Sequence, residues 1–146
     1  MSRTVRALNE IFAFRRAEEQ SARQTLSSEQ IAMGRAGERT FQTQDARDDA
    51  LGTWHAFVAD PKVAHSLREV ASNWLIGRQN ELAAARLDES IATGRYDRAQ
   101  EAVARTSALV MATRELTRAE NARLRKRDDE KHLSAVEELI LGRRRS

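Results

Sequence analysis

The sequence predicts an all-α protein: a long antiparallel two-helix coiled-coil hairpin with a C-terminal helical overhang. Three observations predict it. Apolar residues recur in alternating steps of three and four from Val5 to Phe57. The single proline, Pro61, interrupts a chain that otherwise reads as helix on both sides. The composition, 32% charged and 5% aromatic with a mean hydropathy of −0.66, suits helices with solvated outer faces rather than a globular core. The 146 residues make one domain, residues 1–146, with helix 1 over about 4–58, the tip at 59–61 and helix 2 over about 62–142.

Helix 1 follows from a heptad frame. The seam positions are Val5, Leu8, Phe12, Arg15, Glu19, Ala22, Leu26, Glu29, Met33, Ala36, Thr40, Thr43, Arg47, Ala50, Trp54 and Phe57. Ten of these sixteen are apolar, against about six expected by chance at this composition. Ile11 and Phe14 are expected to widen the stripe near the N-terminus. Gly34 and Gly37 fall inside the helix, where each costs about 1 kcal/mol relative to Ala. They read as tolerated glycines or a local bend.

The tip centres on Pro61. Asp60 fits an N-cap, with proline at the first helical position of helix 2. Beyond it the apolar residues run Val63, Leu67, Val70, Trp74, Leu75, Ile76, Leu82, Leu87, Ile91, Tyr96, Ala99, Val103, Val110, Leu116 and Leu124. No single heptad frame covers all of them, which predicts at least two stutters. Gly94, followed by Asp97, marks a weak point or a helix end; one continuous helix is the preferred reading.

Residues 114–131 are almost wholly charged with mixed signs, which reads as a solvated helix past its partner's end or as a charged contact surface. Folding at residue 60 sets position 4 opposite about position 116. Helix 1, roughly 80 Å long, then stops short of helix 2, roughly 120 Å long. The last 25–30 residues should project. They still carry Leu133, Val136, Leu139, Ile140 and Leu141, and an unpaired helix with an apolar patch invites a partner.

Several function classes find no support. The absence of cysteine removes disulfides, thiolate metal sites and cysteine nucleophiles, and suits a reducing cytoplasm. No run of 18 apolar residues predicts a membrane span, and Met1–Arg6 lacks the apolar core of a secretion signal. There is no Walker loop, GxGxxG, GxSxG or HExxH. His55 and His65 flank the tip at equal distance, but two histidines there make a poor metal site. No enzyme activity, cofactor or metal is therefore expected. Nucleic-acid binding is a rival because of the arginines, including Arg143-Arg144-Arg145. Against it, net charge is only +3 and acids interleave with bases nearly everywhere.

The opening Val5-Arg-Ala-Leu-Asn-Glu-Ile-Phe-Ala-Phe-Arg-Arg-Ala-Glu-Glu-Gln-Ser-Ala-Arg-Gln-Thr-Leu26 resembles the start of the FliJ/YscO-type stalk proteins of flagellar and virulence type III secretion systems. The tryptophan-bearing tip, Trp54 to Trp74, is similar, as is the charged run before Val136-Glu137-Glu138. The resemblance implies a non-enzymatic central stalk in the bacterial cytoplasm, at the inner face of the membrane export apparatus. It implies that the end holding both termini inserts into the hexameric secretion ATPase, with Val5, Leu8, Phe12, Leu133, Val136, Glu137, Ile140 and the terminal arginines at the contact. Further implied partners are the export gate membrane protein, met on the shaft or at the tip (Trp54, Phe57, Val58 and Trp74), and export chaperones. The membrane is then reached only through partners, and no nucleic acid is expected. The alternatives are a generic coiled-coil scaffold or adaptor and, behind it, a basic helical nucleic-acid-binding protein.

Overall fold

In the computed structural model, which describes residues 2–145 with the Arg145 side chain excepted, the chain forms two long α-helices packed against each other. They are α1 (Arg3–Ala59, 57 residues) and α2 (His65–Arg145, 81 residues). There is no strand among the described residues. Contacts group the chain into two units: residues 23–102, and residues 2–22 together with 103–145.

Each helix end has a local cause. At the start of α1 the Ser2 hydroxyl accepts from the Val5 N–H at 3.1 Å, an N-cap that satisfies one of the orphan donors of the first turn. The link after α1 is a turn over residues 60–63, in which the Val63 N–H donates to the Asp60 carbonyl at 3.3 Å. Pro61 occupies its second position, where the fixed φ of proline suits the turn. The Asp60 carboxylate accepts from the Lys62 N–H at 2.9 Å. Asp60 therefore shapes the turn and does not cap α2, and Pro61 is not the first helical residue. Helix α2 starts at His65, with the Ala64 carbonyl accepting from the Leu67 and Arg68 N–H groups. One side chain ties the turn together. Arg68 donates from Nε to the Phe57 carbonyl at 3.1 Å and from Nη2 to the Asp60 carbonyl at 2.7 Å. A cation thus meets the Phe57 carbonyl, whose partner four residues on, Pro61, has no N–H, and shares the Asp60 carbonyl with the Val63 N–H.

Within residues 23–102, the α1 positions turned from solvent include every seam residue from Leu26 to Phe57. On α2 the matching positions are Arg68, Ala71, Leu75, Arg78, Leu82, Ala85, Glu89, Ala92, Tyr96 and Ala99. The helices touch in antiparallel register. Arg39 pairs with Asp88 at 3.1 Å, and the Thr40 hydroxyl reaches the Ala85 carbonyl at 3.3 Å. A hydroxyl one carbon from its own backbone reaches a backbone carbonyl of the other helix only where the two approach closely. Alanines permit that approach: Ala50, Ala71 and Ala85 are all buried. Within residues 2–22 and 103–145, Val5, Leu8, Phe12, Arg15, Glu19 and Ala22 turn inward. So do Val103, Thr106, Val110, Thr113, Thr117, Glu120 and Leu124. The Arg114 guanidinium lies 5.6 Å from the centre of the Phe12 ring, a cation–π contact.

Two expectations are corrected. The inward positions of α2 step by three and four from Arg68 to Leu124 without a slip, so there are no stutters. The large residues that suggested them, Leu67, Val70, Trp74, Ile76, Leu87, Ile91 and Leu116, are exposed instead. Ile11 and Phe14 are also exposed and do not widen the stripe. The helices also run through Gly34, Gly37 and Gly94 without a break and without a positive φ among the described residues.

Candidate functional site

The candidate site is set by the point where burial stops and by the residues beyond it. Among the described residues Leu124 is the last of α2 that is shielded; every residue from 125 to 144 is exposed. The exposed length starts nearer the C-terminus than a fold at residue 60 predicts. The turn occupies residues 60–64, so α2 begins later and Phe12 meets Arg114.

The exposed segment carries Leu133, Val136, Leu139, Ile140 and Leu141, each between 42% and 68% exposed. Continuing the inward frame of α2 past Leu124 gives Arg127, Lys131, Ser134 and Glu138, all polar, before Leu141. The apolar face is therefore not more of the same seam. It sits on a different side of the helix, with a 3-4 spacing of its own in Leu133, Val136 and Ile140. Ala135, Glu138, Leu139, Gly142 and Arg143 line an open groove beside it.

The residues expected at the ATPase end do not form one surface. Leu133, Val136, Glu137 and Ile140 are exposed, whereas Val5 is buried and Leu8 and Phe12 are half-buried. From the Phe12–Arg114 contact, Val5 stands beside about residue 121, which leaves it roughly 18 Å along the helix from Leu133 at 1.5 Å per residue. Val5, Leu8 and Phe12 turn inward and pack between the helices, Phe12 keeping a partly open edge beside Arg114. Arg143 and Arg144 flank the apolar face; the Arg145 side chain lies outside the described residues.

The expected tip residues also divide. Trp54 and Phe57 are half-buried in the seam, while Val58 and Trp74 are exposed. Trp74 continues a stripe with Leu67 and Val70, at i, i+3 and i+7, all exposed; Arg78 stacks 5.7 Å from the Trp74 ring centre. Leu67 and Val70 were visible in the sequence but read as seam. Their spacing is helical either way, and only the position of α1 separates an inward row from an outward one.

No protein-family model matches the sequence, and no curated protein or solved structure is significantly similar to it.

His65 Nε2 lies 3.2 Å from Glu69, and His55 sets its ring edge-on to Trp54 at 5.2 Å. No group of three or more His, Cys, Asp or Glu residues could hold a metal ion among the described residues. None of the helices, over the described residues, is long and apolar enough to cross a membrane. Where burial ends, Arg123 donates twice to the Glu120 carboxylate, at 2.7 and 3.1 Å. That pairing holds the Glu120 carboxyl below its usual range and raises the Arg123 guanidinium.

Proposed function

We propose that the chain is an antiparallel two-helix coiled-coil hairpin that serves as a non-enzymatic stalk protein of a type III export apparatus. In this reading the exposed end of α2 inserts into a hexameric secretion ATPase and couples it to the export gate and to export chaperones. The observation that supports it is the unshielded apolar face Leu133–Val136–Ile140, beyond the last shielded residue of α2, Leu124. A helix end freed from its own partner and rimmed by charge can enter a protein lumen without unpacking the seam. Contact then falls on Leu133, Val136, Glu137, Ile140 and Arg144. Val5, Leu8 and Phe12 act indirectly, by anchoring α1 before that face begins. The setting is the bacterial cytoplasm beside the membrane apparatus. The test is co-purification with the cognate ATPase and measurement of its turnover: a bound complex with raised turnover is expected, and neither binding nor stimulation would discard the reading.

A generic scaffold or adaptor is the second reading, favoured by a second exposed stripe, Leu67–Val70–Trp74. An adaptor needs two separate docking faces. Substituting that stripe should then release one partner and leave the partner of the C-terminal face bound.

A further inference from the structure

The geometry points to a second occupant of the C-terminal face: another copy of this chain, docked antiparallel through residues 129–144. At 100° per residue, Asp129, Leu133, Val136, Ile140 and Arg144 fall within an arc of about 80° on one side of α2. Read from N to C, that face is an acid, three apolar residues and a base. All five positions are exposed. A two-fold axis between residues 136 and 137 places Asp129 of each copy against Arg144 of the other. It stacks Leu133 on Ile140 and brings the two Val136 side chains to the centre. The face is thus self-complementary in charge and in apolar content when the helices run antiparallel. A parallel arrangement would set acid on acid and base on base.

Other chemistries fit less well. Residues 125–144 hold six Lys and Arg (125, 126, 127, 131, 143 and 144) against five acids (128, 129, 130, 137 and 138), a net of only +1. A membrane surface or a nucleic acid would have to accept Asp129 at the N-terminal end of the docking face. The pairing stands independently of the stalk reading, although both uses need the same apolar residues and so exclude each other on one molecule. With three apolar side chains per copy the contact is small, and a dissociation constant in the tens to hundreds of micromolar is expected.

The test is sedimentation equilibrium of the full chain over about 5–500 μM, a range bracketing that affinity. The wild type should show a monomer–dimer equilibrium. Asp129→Arg and Arg144→Asp should each weaken it about fivefold or more, and the double variant should return to within about twofold of wild type, because the charges are exchanged and still complementary. Melting curves of all three variants should match wild type, since both positions are exposed. A chain that stays monomeric throughout overturns the inference, even if it binds an ATPase or vesicles of anionic lipid. So does a dimer that neither single exchange weakens, because that dimer is parallel or lies elsewhere, or one that the double exchange fails to restore.

Discussion

Trp54 and Trp74 flank the turn at similar distances yet do different work. Trp54 is in the seam and Trp74 faces outward with Arg78 stacked on it. Trp54→Ala should therefore cost about 2–3 kcal/mol of unfolding free energy, whereas Trp74→Ala should cost well under about 1 kcal/mol. Chemical denaturation of the two variants separates them. Arg68 is the residue whose role the sequence concealed. It is a cation among charges in the primary structure, and only the folded turn brings the Phe57 and Asp60 carbonyls to it. Arg68→Ala should lose about 1–2 kcal/mol, read in the same assay. Glu120 supplies a pH signature. Its folded carboxyl is held below the usual value by Arg123, so its contribution is present above the unfolded carboxylate range and is lost as pH falls through the depressed value. Glu120→Gln should make the acid limb of the stability profile slightly shallower and leave the alkaline limb unchanged.

At the scale of the helix, size and burial part company. All sixteen positions of the frame read along helix 1 turn away from solvent, including the polar Arg15, Glu19, Glu29, Thr40, Thr43 and Arg47. On α2 the same logic is obscured because the inward row is rich in Ala and Thr while Leu67, Leu87, Ile91 and Leu116 point out. The large apolar residues follow the outward row, so their spacing breaks the heptad frame although the inward row keeps it. The closeness of the two helices is the physical reason: the Thr40 hydroxyl reaches the Ala85 carbonyl and Ala85 is 1% exposed, so a longer side chain there would be overpacked. Ala85→Leu should destabilise by about 1–3 kcal/mol, while Leu87→Ala, two residues on, should stay within about 0.5 kcal/mol of wild type. Equal effects at the two positions would refute the frame assigned to α2. The unpaired helix end was legible for a simpler reason, because Pro61 lies well short of the chain's midpoint and two unequal helices cannot match.

For the whole molecule, the separation between what holds the helices and what is offered to a partner is testable by deletion. Residues 125–144 are exposed throughout, so a chain ending at Leu124 should melt within about 1 kcal/mol of the full chain. If the proposed stalk role and self-association hold, the same deletion should abolish both, measured by turnover of the ATPase and by sedimentation. The sequence by itself determined that the protein is helical, that a turn at Pro61 joins two unequal helices, and which face of the first is inward. Those properties come from local rules: the 3-4 recurrence of apolar residues, the missing N–H of proline, and the lengths on either side. Tertiary structure alone decided which face of α2 is inward, that Asp60 and Arg68 build the turn, and that burial ends at Leu124. Each depends on where the other helix lies, and a residue's own helical period cannot say whether the stripe it belongs to will be covered or left open.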